Sequence, residues 1–575
     1  MSYNLCKFGI ILILAVPVLG QVTFIDMASE LGLSHHDDSR GVAVLDLDND
    51  NISEIVIINK YDQNRLYKWA DGVYAELAYE YGISETVLHH NITVADVDKD
   101  LNPDLYITGA PNSDEARYYL NLGYPPFQDM AEQYHIDDIV EMGSAFFQMT
   151  PSAGVSGLLG GRLMVREGDV FIDVTEGSGL ETITNVLTPI FFDADGDIDD
   201  DLIIAGNYED NRGRLFRNNA DGTFTDISTN TNEGGFPVGQ GVTVGDIDND
   251  GDFDLYISSG FDYNSMWEND GTGFFTNITD RSNTGYDGYT RGVIMADFDN
   301  DCDLDLFLNR GTDTKMLLLN NGAGVFTDFS EQAGVLDLYN GMGCSASDLD
   351  NDGQVDIVAI NCDYYPTDVY INQNQNSSFL KVKLIGQRKN SLALGAIIKL
   401  YGISYEPFDT TLIGIRHISS LTSMLSVDDL IAHFGTGIYE NLFISVTFQS
   451  GENVIRDGLW PGQMVTVVEP MTDIEDADNQ QLPEDYVIID AYPNPFNSSV
   501  NITVSGTDSD NLGLSIYDML GREVKSAQFN SDGSNRLTYI WECLDNHSQT
   551  VPSGVYFVKL DNGSTNTFKK ITLLK

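Results

Sequence analysis

Asp246-Ile247-Asp248-Asn249-Asp250-Gly251-Asp252-Phe253-Asp254, followed at once by Leu255-Tyr256-Ile257, decides the fold. Carboxylates stand at positions 1, 3, 5 and 9, and a β-prone apolar run begins where they stop. In a tight loop, alternate side chains converge on one centre, and the ninth folds back from the start of the next strand. Position 7 then offers its backbone carbonyl. The same spacing recurs as Asp46, Asp48, Asp50 and Glu54; as Asp96, Asp98, Asp100 and Asp104; and as Asp193, Asp195, Asp197 and Asp201. It returns in Asp297, Asp299, Asp301 and Asp305, and in Asp348, Asp350, Asp352 and Asp356. Position 7 wanders among Ile52, Asn102, Asp199, Asp252, Asp303 and Gln354, as a backbone ligand permits. An all-oxygen, flexible, many-liganded site favours calcium over magnesium and excludes thiophilic metals. The expectation is up to six calcium ions, one per loop.

An EF-hand starts the same way but needs a bidentate Glu at position 12. Here position 12 is Ile57, Ile107, Ile204, Ile257, Leu308 or Ala359, so the loop joins two strands. Asp, Asn and Gly also favour plain solvated turns. Six copies in register with a larger repeat argue against that reading. Without a cation, four packed carboxylates oppose folding; with one, they organise the loop.

The larger repeat is an aromatic, one residue, then a carboxylate or amide: Phe24/Asp26, Tyr74/Glu76, Phe127/Asp129, Phe171/Asp173, Phe224/Asp226, Phe275/Asn277 and Phe326/Asp328. Six of these seven precede an acidic loop at a fixed step. From Asp129 the same step lands on Met149, and no acidic cluster follows, although Gly157-Leu158-Leu159 imitates the usual strand. The third unit therefore keeps the strands and lacks the ligands. Four short strands in each roughly 50-residue unit is the spacing of propeller blades. The predicted fold class is all-β: a seven-bladed β-propeller over 21–375, then a small β-rich domain and a C-terminal immunoglobulin-like β-sandwich. An open β-solenoid of the same repeats is the alternative.

The chain has 575 residues, with 30 basic against 88 acidic, a formal charge of −58. Nucleic acid and anionic lipid need basic patches, so neither is expected as a partner. Lys7 and the apolar run Ile10 to Leu19, ending at Val18-Leu19-Gly20, read as a signal peptide over 1–20. No later run reaches the roughly 18 apolar residues of a transmembrane helix. Cys302, Cys344, Cys362 and Cys543 do not make a disulfide framework, and Cys344 with Cys362 is the best-placed pair.

The units resemble the FG-GAP or VCBS-type repeats of integrin α-chains and related bacterial propellers, and Gly109-Ala110-Pro111 carries the Gly-Ala-Pro of the first family. The resemblance implies a calcium-loaded ring. Residues 376–470 resemble the ASPIC/UnbV module of cartilage acidic protein-like sequences, through Gly395-Ala396, Phe434-Gly435-Thr436-Gly437 and Ser450-Gly451. Phe448-Gln449 departs from the Trp-Pro of that family. A polar linker over 471–485 leads to 486–575, where Tyr492-Pro493-Asn494-Pro495-Phe496-Asn497, Leu514 to Val524 and Ser553 to Leu560 resemble the C-terminal sorting domain of type IX secretion. That likeness implies the type IX machinery as a partner and an extracellular or outer-membrane-surface location.

The function expected is a secreted or cell-surface scaffold for adhesion to, or recognition of, an extracellular protein or glycan. The alternative is an exported polysaccharide lyase or hydrolase built on the same ring. No Gly-x-Ser-x-Gly elbow or His-Glu-x-x-His motif supports an enzyme. His35-His36, His89-His90, Arg40 and Arg291 read as packing or surface residues, and no catalytic residue is assigned. A third possibility is that the ring is a spacer holding 376–470 off the surface.

Overall fold

The structure, a computed structural model, describes residues 22–470 and 488–573, except 71, 87, 110–115, 140–142, 151–153, 185, 207–211, 261–262, 388–389, 406–407, 493–498, 506–511, 519–521, 530–535, 542, 547–549, 553 and 562–565. The expected signal peptide, the linker, Ala110-Pro111 and Pro493 to Asn497 lie outside the described residues.

Each repeat unit supplies a four-stranded antiparallel sheet in simple up-and-down order. In the fifth, Gly241–Gly245, Asp254–Ser258, Ser265–Asn269 and Phe275–Asn277 pair in sequence, with Val244 opposite Leu255, Leu255 opposite Trp267 and Trp267 opposite Asn277. The second strands are buried on both faces, as in Glu54–Asn59 and Asp104–Gly109. That explains their unbroken apolar runs, where a half-exposed strand would alternate. The third unit keeps its four strands, Ser144–Gln148, Val155–Leu159, Arg162–Glu167 and Val170–Asp173, without an acidic loop.

The first aromatic-x-acid copy belongs elsewhere than its neighbours in sequence. Phe24–Asp26 pairs with Asp368–Asn372 and completes the seventh sheet from the opposite end of the repeat region. The opening strands of successive sheets lie side by side: Ser39–Leu45, His89–Ala95, Ser144–Gln148, Pro189–Phe192, Gly241–Gly245, Thr290–Ala296 and Gly341–Ser347. The last of these neighbours the first.

Met1–Pro470 forms one compact unit and Met471–Lys575 a second. In the first, residues 376–470 add a three-stranded sheet (Ala432–Gly435, Phe379–Ile385, Gln463–Val468) and a four-stranded one (Phe408–His417, Ile397–Tyr405, Leu442–Thr447, Asn453–Leu459). These share a core with the repeats, since Leu380, Ile398 and Phe434 cluster with Tyr106, Tyr118 and Phe146. The second unit holds a three-stranded and a four-stranded sheet around Val500, Ile502, Leu514, Ile516, Trp541 and Val558.

Residues 420–428 enter the space between the opening strands. Ser426–Val427 adds a parallel strand to the first sheet, with Ser426 opposite Val42 and Val427 opposite Ala43. Thr93 Oγ1 donates to Ser420 O at 2.8 Å, Ser423 Oγ accepts from Val293 N at 2.9 Å, and Ser345 Oγ donates to Val427 O at 2.8 Å. A Cβ on Gly343 would collide with Ser426 Oγ, so a residue without a side chain is needed there. Residues 376–470 are thus packed into the ring and do not hang from it on a free tether.

The pairing of Cys344 with Cys362 is corrected: both are free, buried thiols. Cys344 faces Ala359 across the ladder. Cys362 lies three residues beyond Ala359, just past the end of Asp356–Asn361 and about 10 Å along the chain, too far for a disulfide, whose Cα atoms must lie within about 7 Å.

Candidate metal centre

The acidic loops follow the opening strand of each sheet, so they share one end of the ring. Their shape comes from backbone bonds to the first carboxylate. Asp246 Oδ1 accepts from Asp250 N at 3.2 Å and its Oδ2 from Gly251 N at 2.9 Å; Asp297 does the same with Asp301 and Cys302. Closing such a loop requires left-handed backbone at positions 4 and 6. All six loops have it, including the non-glycine pairs Asn49/Asn51 (φ 60 and 64), Lys99/Leu101 (66 and 73) and Asn300/Cys302 (60 and 88).

The ninth carboxylate anchors the loop to its sheet. Asp254 Oδ2 accepts from Ile247 N at 3.0 Å and Oδ1 from Asn269 N at 2.8 Å. Asp104, Asp201, Asp305 and Asp356 repeat both bonds. Carboxylate oxygens of positions 1, 3 and 5 lie within 4.8 Å of one another in the loops starting at Asp46, Asp193 and Asp246, and those of Asp96, Asp98 and Asp104 do so in the second.

The electrostatics of this arrangement are adverse without a cation. Burial, reinforced by like charge, pushes Asp246 and Asp297 up to about 7 and Asp201 and Asp299 up to about 9. Asp104, Asp254, Asp305 and Asp356 are raised well above the carboxylate range, chiefly by burial. Among the described residues, Asp195, Asp248, Asp299 and Asp348 each hold a buried Oδ1 with no hydrogen-bond partner. Four buried acceptors at position 1 or 3 fit a hard divalent cation.

The first loop is different. Lys68 Nζ lies 2.6 Å from Asp48, 3.1 Å from Asp50 and 2.8 Å from Glu54, and Lys383 Nζ lies 3.0 Å from Asp46. Burial still raises Glu54 to about 7, with Lys68 opposing the shift.

Residues 376–470 lie over this end of the ring. Lys381 pairs with Asp348, Ser391 hydrogen-bonds Asp96, and His417 Nε2 meets Asp200 at 2.9 Å. Burial pushes the Arg416 guanidinium below its usual range, with the charges of Asp297 and Asp246 opposing the shift. Arg40, His90 and Arg291 begin opening strands, so they mark the other end. Arg40 pairs with Asp38 at 2.9 Å, and Arg291 donates to Asn340 Oδ1 and Gly341 O, both at 2.7 Å. His90 is pushed down to about 4 by burial and the nearby Arg40. Of the paired histidines, His35 stacks on Tyr67, and His36 Nδ1 lies 3.3 Å from Tyr364 O.

One recurrent residue escaped the sequence reading. Asn121, Asn218, Asn269, Asn320 and Asn372, at or just past the ends of the third strands, bond the ninth carboxylate through their backbone and the preceding unit through their side chains. The signal was an Asn 15 to 17 residues after each ninth Asp. The first unit has Trp69 there.

Comparison with known proteins agrees with the repeats. The FG-GAP-like repeat model matches residues 32–107, 193–257 and 297–359, so each match spans two acidic loops. The secretion system C-terminal sorting domain matches 490–573. Cartilage acidic protein 1 of Xenopus tropicalis is 26% identical over 45% of this chain and 43% of its own length. The Mus musculus protein is 23% identical over 72% of this chain and 62% of its own. The chain thus spans less than two thirds of these relatives. The crystal structure of BBS1N in complex with ARL6DN aligns with a TM-score of 0.37 and 12% identity, over 60% of this chain and 96% of that one. No helix among the described residues is long and apolar enough to cross a membrane. The sorting domain marks the chain for type IX export to the cell surface or beyond. The chain carries FG-GAP-like repeats ahead of a type IX sorting domain, and over part of its length it is similar to cartilage acidic protein 1.

Proposed function

We propose that the chain is an exported seven-bladed β-propeller, pinned by calcium, that serves as a binding scaffold and not as an enzyme. Its C-terminal unit, an immunoglobulin-like sandwich in this reading, is the part recognised by the type IX machinery. The carboxylates at positions 1, 3, 5 and 9 of the loops starting at Asp96, Asp193, Asp246, Asp297 and Asp348 would hold the ions. The ion supplies charge neutralisation and a cross-link between the opening and second strands of one sheet. The orphaned, buried oxygens of Asp195, Asp248, Asp299 and Asp348 carry this assignment.

Residues 376–470 cover the loop end, so recognition falls to the other end. The loops there expose Tyr61 at 54%, Tyr364 at 55% and Leu338 at 63%. Tyrosines bring a broad apolar face and a polar tip at low entropic cost, which suits contact with proteins and glycans. The test is an array of extracellular proteins and glycans probed with the full chain and with a Tyr61→Ala/Tyr364→Ala variant. Binding that the double substitution abolishes supports the reading. Uniformly null binding, or turnover of a polysaccharide, overturns it.

A further inference from the structure

We infer that the first acidic loop takes no calcium, because two lysines of the chain already neutralise it, so the ring holds five ions and not six. An alkylammonium has three N–H donors and no acceptor. Lys68 Nζ meets three carboxylates, Asp48, Asp50 and Glu54, at 2.6–3.1 Å. Its donors are thus matched one to one with three of the four side chains expected to bind metal. The fourth, Asp46, is taken by Lys383 from the covering domain at 3.0 Å, and that amine also reaches Asn49 Oδ1 at 3.1 Å.

The first loop also departs from the others in covalent structure. Tyr67 stands opposite Ile55, which makes Lys68 the counterpart of Leu120, Arg217, Glu268, Leu319 and Ile371 in the sheets that carry acidic loops. Only here does a lysine occupy that register. The ninth carboxylate is Glu54 where the other five have Asp, and the longer side chain carries its Oε1 to 2.8 Å from the amine. Trp69 replaces the recurrent Asn. The orphaned carboxylate oxygens found in four other loops have no counterpart among Asp46, Asp48, Asp50 and Glu54.

Calcium could enter only by displacing an ammonium that is 23% exposed and held by three carboxylates. Because Lys383 belongs to the covering domain, the same charges fasten that domain to the ring independently of calcium.

The inference rests on the calcium reading of the other loops, and one experiment separates the two. The full chain is stripped with chelator, reloaded with calcium, and its ions are counted by native mass spectrometry. Five ions are expected, rising to six in Lys68→Leu, which installs the residue of the second sheet. Terbium soaked into crystals of the unsubstituted protein gives a second readout that needs no variant: anomalous peaks in five loops and none between Asp48, Asp50 and Glu54. Six ions in the unsubstituted chain, a terbium peak in the first loop, or a Lys68→Leu protein that stays at five overturns the inference while leaving calcium in place. No ions at all overturns the calcium reading itself, and this inference with it.

Discussion

The side-chain amide of Asn320 donates to the backbone carbonyl of Ile247, 2.7 Å away in the acidic loop of the preceding sheet. The same amide reaches Leu304 O at 3.1 Å, and Asn320 N bonds Asp305 Oδ1 at 2.8 Å. One residue therefore ties its own loop to its neighbour. Asn320→Ala leaves two buried carbonyls unpartnered, at a cost of about 1–3 kcal/mol. Denaturant unfolding of the full chain measures it, and the matching Asn269→Ala should cost a similar amount.

Calcium and chelator should reverse the sign of one substitution. Asp299 is raised to about 9 by burial and by Asp301 and Asp297. Neutralising it in Asp299→Asn removes repulsion from the metal-free loop and a ligand from the loaded one. The variant should melt above the unsubstituted protein in EDTA and below it in millimolar calcium. In the unsubstituted chain, calcium at a hundred times a site's Kd adds about 2.7 kcal/mol per site.

Lys315 and Asp368 form a buried ion pair at 2.7 Å, with side chains 0% and 1% exposed. Burial outweighs the lysine and raises Asp368 to about 6. Its folded pKa therefore lies above the unfolded value near 3.9. Stability linked to this group is complete below pH 4 and is lost as pH rises through 6. Lys315→Met strands the carboxylate and should cost about 3–5 kcal/mol at pH 8. The deficit should shrink at pH 5, where the carboxyl is protonated. Thermal melts at the two pH values check this, and Lys315→Met/Asp368→Leu should recover much of the loss.

Leu101, 40% exposed, holds φ at 73° in the second loop. An L-residue pays about 1 kcal/mol for that backbone. Leu101→Gly should return an amount of that order in thermal unfolding with calcium present, since the loop's carboxylates are untouched.

The acidic loops and the strand repeat were legible because both are local: nine consecutive residues fix each loop, and each sheet is built from neighbours in the chain. What was not legible depends on register between strands. Lys68 reaches Glu54 only because Tyr67 stands opposite Ile55, which no spacing rule states. The recurrent Asn was visible as an interval but had no evident task until its side chain met the preceding sheet. Phe24 read as the start of the first unit, yet its strand closes the seventh. The covering of the loop end by 376–470 rests on pairs such as Lys383 and Asp46, more than 300 residues apart.

Ser426–Val427, lodged beside Val42 and Ala43, makes the repeats and the domain after them unfit for exchange as separate cassettes. A chain halted at 375 would be a hollow annulus with unmet strand edges lining its bore. Grafting the downstream domain onto another ring would demand a bore that accepts this same finger of polypeptide.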